Sequence, residues 1–554
     1  MRSKLAHIFK KRYLLLYSIC NDNPSKKIEM KYLLTVFVFS SLIIDSIAQR
    51  IIPQPLLLES KNAAIDLPDL TGVYAEKVLK PEADYLVKVL GDDFGAHSTT
   101  NKSKTSYIKL LIDVSKKADL GLEGYELTVN NNGIVIIGAD RSGVFYGIQS
   151  LRQLIHKKET GAGLTVAAVY VKDKPRFGWR SFMLDEGRYF KGAPAVKVLL
   201  DEMASLKMNI FQWHLTEDQG WRLAINKYPL LAKTGGKRDS TQIGDWNSKI
   251  YDGKSHEGFY SKDEIREIIR YAASLHIKIV PEIEMPGHSS AAIAAYPWLG
   301  VTKKPISVPT SFGVKYDIFD VTDPKVITFL HDVLNEVIAL FPSDVIHIGG
   351  DEVKYDQWMA SPTVQAYMKA HNLTSPADLQ IAFTNDISNF LSAKGKRMMG
   401  WNDILGAKLH EYNTEMPPAS GKLSPKTIVQ FWKGDPSLIN DALRKGYDMV
   451  NSYHVYTYLD YDYKTIPLQK AYDFDPVPTD IEEKYQKQVL GLGTQMWGEW
   501  IPTDADMYRQ TFPRIAAYAE VGWTAKSQKN YEQFVKQLDV FKKHWQQKGI
   551  TVGE

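Results

Sequence analysis

The chain has 554 residues, of which 24% are charged and 44% hydrophobic, and its formal net charge is +4. This composition is typical of a globular protein that is too long for one small domain and long enough to bury a large core. The first 49 residues contain eight Lys or Arg and three acidic residues, so the remainder, with 60 basic and 61 acidic residues, is almost neutral. Nucleic acids and anionic membranes bind surfaces with an excess of positive charge, which this part of the chain lacks, so we expect neither as a partner.

Residues 1–49 have the pattern of a leader. Met30-Lys31 precedes an apolar run of about a dozen residues and then small residues near Ala48, as in a secretory signal peptide. We therefore expect translation to start at Met30 and the protein to be exported, to a periplasm or to the medium; the alternative is a leader that stays as an anchor. The run is shorter than the roughly 20 residues of a membrane span, so none is expected in the mature chain. The only cysteine, Cys20, lies in this leader, which leaves the mature chain without disulfides or cysteine ligands.

A composition shift near residues 172–175 predicts a domain boundary. None of the 12 tryptophans precedes Trp179. Before the shift, a short apolar strand pattern at 133–138 and a helical pattern at 144–155 indicate a small α+β domain over residues 50–174. We assign residues 175–525 to a second, larger domain and residues 526–554 to a C-terminal helix.

The larger domain shows apolar runs that alternate with amphipathic stretches. Eight such runs predict the eight strands of a (β/α)8 TIM barrel, an α/β fold, with a doubly wound open sheet as the alternative. The expected strands are 181–185, 209–215, 278–283, 344–348, 397–401, 427–432, 448–453 and 489–497. The expected helices include 195–207, 262–275, 323–341, 376–394 and 437–445.

Each of the eight runs ends in polar or aromatic residues. The residues at these ends are Asp185/Arg188, His214/Glu217/Asp218, Glu282/Glu284/His288, Asp351/Glu352, Trp401/Asp403, Trp432, Tyr458/Asp460 and Trp497/Glu499. The carboxyl ends of barrel strands meet at one mouth, where active sites lie. We therefore expect one cluster of these side chains. For any single tryptophan here, packing in the core is the plainer interpretation.

The motifs of metal, serine and phosphate chemistry are missing from the sequence. None of the 13 histidines has another histidine two or four residues away, as clustered metal ligands often do. No Gly-x-Ser-x-Gly elbow is present, and the pair Gly349-Gly350 lacks the Lys-Ser/Thr of a phosphate loop. We expect no metal and no cofactor. Carboxylates and flat aromatic rings remain, and together they suit the polar edges and apolar faces of sugars.

The segment Val345-Ile-His-Ile-Gly-Gly-Asp351-Glu352-Val353 is the strongest candidate for the reacting groups. An apolar strand followed by two adjacent acids places two carboxyl groups at the mouth, where one can stay ionised while the other carries a proton. Cleavage of a glycosidic bond needs this division of roles. The alternative is an Asp-Glu pair that caps a helix N-terminus.

Over roughly residues 50–525 the chain resembles the family 20 glycoside hydrolases, the β-N-acetylhexosaminidases. The motifs that carry the resemblance are Phe182-Met-Leu-Asp-Glu-Gly-Arg188, Gln212-Trp-His-Leu-Thr-Glu217-Asp-Gln-Gly-Trp221, Pro281-Glu-Ile-Glu-Met-Pro-Gly-His288, His347-Ile-Gly-Gly-Asp351-Glu352 and Gln495-Met-Trp497-Gly-Glu499. At position 217 many members of that family carry Asp. The resemblance implies a small α+β domain ahead of a catalytic barrel.

The resemblance also implies a mechanism in which the substrate's own 2-acetamido oxygen attacks C1, with retention and an oxazoline intermediate. Glu352 would be the general acid and base, Asp351 would hold the acetamido N–H, and Tyr458 would orient the acetamido oxygen. The implied substrate-binding residues are Arg188, Trp401, Trp432, Asp460, Trp497 and Glu499. His288 with Glu217 would tune the proton donor.

The implied partner is an oligosaccharide or glycoconjugate with a terminal β-linked N-acetylhexosamine, released one sugar at a time. Two other functions fit part of the pattern. A carbohydrate-binding protein without turnover would keep the aromatic residues, but the intact set of Asp351, Glu352 and Tyr458 argues against it. A disaccharide-releasing enzyme would need room where Asp460 and Glu499 are expected to cap the outer hydroxyls. The sequence makes no prediction of the oligomeric state.

Overall fold

The structure is a computed structural model that describes residues 51–554 apart from 69, 102, 104–105, 159–162 and 414–418. The leader predicted over residues 1–49, including Cys20, lies outside the described residues. Within the described part, no helix is both long enough and apolar enough to cross a membrane.

The N-terminal part is a mixed eight-stranded sheet with helices, which confirms the predicted small α+β domain. Seven strands follow one another across the sheet in the order 57–67, 164–173, 125–130, 133–138, 108–112, 70–75 and 97–101, and Ile155–Lys157 pairs with Leu164–Asp173. The helices are Lys80–Phe94, Lys117–Leu120 and Arg141–Leu154. Helix Arg141–Leu154 buries Val144, Ile148 and Leu151 against the sheet, the apolar spacing that predicted it.

A buried polar cluster joins this domain to the barrel. Asp173, at the end of the strand Leu164–Asp173, accepts hydrogen bonds from Tyr125 Oη at 2.7 Å and from Trp523 Nε1 at 3.0 Å. Lys207, from the barrel, pairs with the same carboxylate at 2.9 Å, and its ammonium lies 4.6 Å from the Trp523 ring centroid. The charged groups of the cluster are therefore satisfied only while both domains are in contact.

The second domain is a closed barrel of eight parallel strands, which confirms the predicted (β/α)8 fold. In chain order the strands are Trp179–Asp185, Ile210–His214, Lys278–Glu282, Val345–His347, Arg397–Trp401, Ile428–Phe431, Asp448–Asn451 and Val489–Met496. Each strand pairs with the next in the chain, and the last pairs with the first. All eight lie where the apolar runs predicted them. Trp179 packs at the opposite end of the barrel from the site, among Ile210, Val280 and Val345.

Helices surround the barrel and connect its strands. The longer ones are Ala193–Ser205, Lys262–Ser274, Pro324–Leu340, Pro362–Ala370, Pro376–Ala393, Ser437–Arg444, Asp504–Thr511 and Arg514–Trp523. The shorter ones are Leu230–Lys233, Ser290–Ala295, Asp356–Ala360, His454–Thr457, Leu468–Asp473 and Glu483–Gln486. Capping boxes at Ser261 and Ser375 explain why two of the predicted helices begin where they do.

Short hairpins and a terminal helix complete the fold. Three pairs of short antiparallel strands lie between the second and third barrel strands. They are Thr216–Glu217 with Gly220–Trp221, Lys237–Arg238 with His256–Glu257, and Gln242–Ile243 with Ile250–Tyr251. The final helix spans Tyr531–Gln547. Its Trp545 donates from Nε1 to Glu202 at 2.8 Å and thereby fixes the helix on the barrel.

Candidate active site

The strand register brings the predicted residues to one level at the carboxyl end of the barrel. Asp185 lies beside His214, His214 beside Glu282, and Glu282 beside His347 on successive strands. Because the strands are parallel and in step, the residues that follow these four all emerge on the same rim. The cluster expected from the sequence is therefore formed.

A buried ionic layer lies directly below the rim. His214 is 3.3 Å from Glu217, 3.3 Å from Glu282 and 3.8 Å from Glu284. Burial alone would lower the pKa of His214, but the charge of Glu282 and the hydrogen bonds of Glu217 and Glu282 outweigh it and raise the pKa well above its usual value. His214 is thus an imidazolium that holds three carboxyl side chains together.

The glycine pair gives the acid pair its position. Gly349 and Gly350 have φ of +64° and +87°, in the left-handed region that only glycine adopts without strain. A Cβ on Gly349 would lie 1.7 Å from Oε2 of Glu284, so the backbone there passes directly over a buried side chain. Glu352 itself has φ of +52°, a strained conformation of the kind found at functional sites. This bend places Asp351 and Glu352 side by side on the rim.

His288 connects the acid pair to the layer below. Its Nε2 lies 3.7 Å from Asp351 and 3.7 Å from Glu352, and its Nδ1 lies 2.8 Å from Glu217. Burial would lower the pKa of His288, but the charge of Glu217 and hydrogen bonds to Asp218 and Glu217 raise it well above the usual range. The Glu217 side chain is longer than the aspartate that many members of the resembling family carry at this position, and its carboxylate reaches His288. It also lies 3.3 Å from Arg188.

Asp351 is buried, and burial is the main reason that its pKa is raised well above the usual value. The charges of Asp403 and Glu352 raise the pKa further, whereas the imidazolium of His288 lowers it. Among the described residues, Oδ1 of Asp351 has no hydrogen-bond partner. An unsatisfied buried carboxylate oxygen is costly, and it points to a donor supplied by a ligand.

Three of the predicted aromatic residues pack together beside the acid pair. Trp401, Tyr458 and Trp497 form one buried cluster with Met183, and Trp432 packs against it. The rings of Trp432 and Tyr458 are nearly parallel, with 6° between their planes and 6.0 Å between centroids. Trp401 and Trp497 lie 5.8 Å apart with planes tilted by 43°. The four rings form one aromatic cluster, which Asp403 links to the acid pair by accepting from both Trp432 Nε1 and the backbone N–H of Glu352.

The charged residues predicted to bind substrate lie across the rim from the acid pair. They follow the first, seventh and eighth barrel strands, whereas the acid pair follows the fourth. Arg188 pairs with Asp185 at 2.8 Å and with Glu499 at 3.4 Å, and its guanidinium lies 5.2 Å from the Trp497 ring centroid. Asp460 is half-buried, and burial, reinforced by the charge of Glu499, raises its pKa well above the usual value. Within the described part of the chain, Oδ1 of Asp460 and Nε1 of Trp497 have no hydrogen-bond partner. These groups can receive the hydroxyls of a ligand.

Asp403 and His410 belong to the site, although no role for either was predicted from the sequence. Asp403 accepts a hydrogen bond from the backbone N–H of Glu352 at 3.2 Å and from Trp432 Nε1 at 2.8 Å. His410 Nε2 lies 2.7 Å from Asp403, and its Nδ1 is 3.9 Å from Glu352. Asp403 was visible as a strand end, but only the fold shows that it holds the Glu352 backbone.

Among the residues that the structure describes, three groups of imidazole and carboxylate atoms lie close enough together to hold a cation. The groups are His214/Glu282/Glu284, Glu217/Asp218/His288 and His288/Asp351/Glu352. In each group, a histidine whose pKa is raised pairs with the carboxylates. A protonated imidazole donates hydrogen bonds and has no free lone pair for a metal, so ion pairing explains these clusters.

Comparison with known proteins agrees with this arrangement. The model of the glycosyl hydrolase family 20 catalytic domain matches residues 177–526, and the model of domain 2 of the same family matches residues 48–174. The match of the catalytic-domain model to the (β/α)8 barrel, with its paired carboxylates at the mouth, places the chain in the class of glycoside hydrolases. The chain belongs to glycosyl hydrolase family 20.

Two curated relatives and one solved structure match most of this chain. A β-hexosaminidase of Porphyromonas gingivalis is 33% identical over 88% of this chain. This chain spans only 62% of that relative's length. A β-hexosaminidase of Akkermansia muciniphila is 30% identical over 85% of this chain and 93% of its own length. The crystal structure of a β-N-acetylhexosaminidase from Bacteroides fragilis superimposes with a TM-score of 0.78 at 31% identity, covering 91% of this chain and 97% of that one.

Proposed function

We propose that this protein is an exo-acting β-N-acetylhexosaminidase that removes terminal non-reducing GlcNAc or GalNAc from glycans with retention at C1. The observation that carries the proposal is the position of Asp351 and Glu352, both 3.7 Å from His288 Nε2 and next to a cluster of four aromatic side chains. The relatives described as β-hexosaminidases support the same activity.

The terminal sugar binds between the two parts of the rim. Its ring and acetamido methyl pack against Trp401, Trp432 and Trp497, because aromatic faces complement the C–H faces of sugars. Its outer hydroxyls bind Arg188, Asp460 and Glu499. These residues close the site at the non-reducing end, so one sugar is accommodated and the next lies beyond Glu352.

In the first step, the carboxylic acid of Glu352 donates its proton to the glycosidic oxygen. The acetamido oxygen of the substrate attacks C1 as the C1–O bond of the leaving group breaks, which gives an oxazolinium ion. Asp351 accepts a hydrogen bond from the acetamido N–H through the Oδ1 that is unsatisfied in the described residues. Its negative charge stabilises the developing positive charge, and the Tyr458 hydroxyl orients the attacking oxygen.

In the second step, the Glu352 carboxylate removes a proton from water. The water oxygen bonds to C1, the bond from C1 to the acetamido oxygen breaks, and the amide is restored. Two inversions at C1 give overall retention.

His288 contacts both carboxyl groups and tunes Asp351. As an imidazolium it favours the ionised form of Asp351 against burial, and Glu217 keeps the imidazole protonated and in place. His214 anchors Glu217 and Glu282 from below, and Glu282 accepts the Trp401 indole N–H at 2.8 Å. The ionic layer thus positions both the reacting groups and the aromatic cluster.

Hydrolysis of 4-nitrophenyl β-N-acetylglucosaminide, compared with the matching β-glucoside, tests the proposal. The glucoside has a hydroxyl in place of the acetamido group and therefore lacks the internal nucleophile. Turnover of the first substrate alone is the expected result. Turnover of both at similar rates would require a nucleophile from the protein and would refute the mechanism, and turnover of neither would refute the activity.

We also propose that the protein is exported. The proposal rests on the signal-peptide pattern that follows Met30. N-terminal sequencing of the protein from its native cells should find a start close to Gln49. A start at Met1 or Met30 would contradict processing by a signal peptidase.

A further inference from the structure

A partly exposed group of side chains lies on the outer side of Glu352 and has no role in the proposed binding of the terminal sugar. We call it the Tyr–Lys wall: Tyr316, Lys354 and Tyr412. The Lys354 ammonium lies between two rings, 4.3 Å from the centroid of Tyr316 and 4.8 Å from that of Tyr412. Tyr316 is 53% exposed and Tyr412 38% exposed, so both rings present surface to solvent.

The wall is continuous with the catalytic carboxyl groups. Lys354 follows Glu352 by two residues, on the same rim loop. The Tyr412 ring stacks on His410 with 5.0 Å between centroids and 11° between planes, and His410 lies 3.9 Å from Glu352. Burial raises the pKa of Tyr412 above its usual value, and the charges of Glu352, Asp403 and Asp351 raise it further, as expected for a neighbour of these carboxylates.

Three segments that are distant in sequence build this wall. Tyr316 comes from the loop after the third barrel strand, Lys354 from the loop after the fourth, and Tyr412 from the loop after the fifth. Fixing a lysine between two aromatic rings costs side-chain entropy, which the cation–π contacts offset. The rings are thereby held as a preformed surface, and preformed surfaces bind with a smaller ordering cost.

The direction of the reaction assigns an occupant to this surface. The terminal sugar is enclosed by Arg188, Asp460 and Glu499, so the group bonded to its C1 must extend past the proton donor, Glu352. That outer side is where the Tyr–Lys wall lies. In a glycan, the group at this place is a second sugar, whose C–H face matches a tyrosine ring and whose hydroxyls can accept hydrogen bonds from an ammonium.

We propose that Tyr316, Lys354 and Tyr412 form the binding site for the sugar on the leaving-group side of the scissile bond. The inference rests on the proposed function and deepens it, since it assigns oligosaccharides as the preferred substrate class. Binding energy from this second sugar is realised at the transition state and raises kcat/KM for glycans over substrates with small leaving groups.

A pair of substrates separates this role from catalysis. Di-N-acetylchitobiose has a sugar as its leaving group, whereas β-N-acetylglucosaminyl azide has a leaving group without a ring. The variants Tyr316→Ala and Tyr412→Ala should lower kcat/KM for chitobiose roughly three- to tenfold, the loss expected for one ring contact. The azide reaction should change less than twofold, and it also shows that each variant is folded.

Matched variants complete the test. Tyr316→Phe and Tyr412→Phe keep the ring faces and should retain at least half of the chitobiose activity. Tyr251→Ala removes a tyrosine that is similarly exposed, at 44%, and that pairs with Gln242 in a separate hairpin, so neither reaction should change. Lys354→Met removes the ammonium and should lower only the chitobiose reaction.

The outcomes distinguish the inference from the function on which it rests. Selective loss of chitobiose hydrolysis in the alanine variants supports the leaving-group site. Equal losses on both substrates, or no loss on either, would overturn the inference while the hexosaminidase activity stands. A wild-type protein inactive on both substrates would refute the proposed function, and the inference with it.

Discussion

Replacing His288 by glutamine should move the acidic limb of the pH profile of kcat/KM to higher pH. In the proposed mechanism the limb follows the ionisation of Asp351, because only the carboxylate can accept the acetamido N–H and balance the positive charge. Burial raises the pKa of Asp351, and His288 opposes that rise. Without the imidazolium, the carboxylate is harder to form, so Asp351 stays protonated to a higher pH and the enzyme loses activity in acid.

The size of this shift follows from the geometry. Two unit charges about 4 Å apart interact by about 4 kcal/mol at an effective dielectric constant of 20, which corresponds to roughly three pKa units. His288 Nε2 lies 3.7 Å from Asp351, but Glu217, 2.8 Å from Nδ1, offsets part of the positive charge. We therefore expect a shift of about one to two pH units in the variant.

The assay is kcat/KM for 4-nitrophenyl β-N-acetylglucosaminide between pH 3 and 8, with fluorescence to confirm that the variant stays folded. His371→Gln is the matched control, because His371 is exposed and packs on Tyr367. Its limb should coincide with that of the wild type. An acidic limb that stays in place in His288→Gln would refute the assignment of the limb to Asp351 and of its tuning to His288.

Four further changes test other parts of the structure. Glu352→Gln should lower kcat on substrates with poor leaving groups about 10²- to 10⁴-fold while sugar binding, measured by calorimetry, persists; unchanged kcat would exclude the acid role. Asp351→Asn should lower kcat and weaken binding of a thiazoline mimic of the intermediate, and wild-type affinity would count against its contact with the acetamido group. Gly349→Ala places a Cβ against Glu284 and should lower the free energy of unfolding by about 2 kcal/mol in urea titrations; an unchanged value would mean that the site relaxes freely. Burial raises the pKa of Glu520 to about 7, so stability should fall as the pH rises from about 4.5 to 7. Glu520→Gln should flatten that part of a plot of Tm against pH, and an unaltered slope would assign the loss to other groups.

Much of the barrel could be predicted because its strands and helices have local signals. Apolar runs of five to nine residues marked all eight strands, and the helix expected over 376–394 spans Pro376–Ala393. The capping residues Ser261 and Ser375 directly precede the helices that they start. Each pairs with an acid three residues later, so the signal is local. The closure of the barrel then fixes which ends meet, so a set of strand-end residues became one cluster without any knowledge of their contacts.

The contacts that long-range packing creates could not be predicted in the same way. Asp403 holds the backbone of Glu352, 51 residues earlier, and nothing local distinguishes it from an ordinary acid after a strand. The ionic role of His214 depends on three carboxyl groups. Glu217 comes from the loop after the second barrel strand, Glu282 ends the third strand, and Glu284 follows it. The raised pKa of Asp351 follows from burial, which a strand-end position does not reveal.

The cluster of Asp173, Tyr125, Lys207 and Trp523 makes the two domains mutually dependent. Lys207 is fully buried, and burial lowers its pKa despite the carboxylate beside it. If the small domain detached, this ammonium would lose its counter-ion and the Trp523 indole its acceptor, at a cost of several kcal/mol. The chain should therefore melt as a single cooperative unit. A barrel expressed without the small domain would carry an unpaired Lys207 ammonium in its wall.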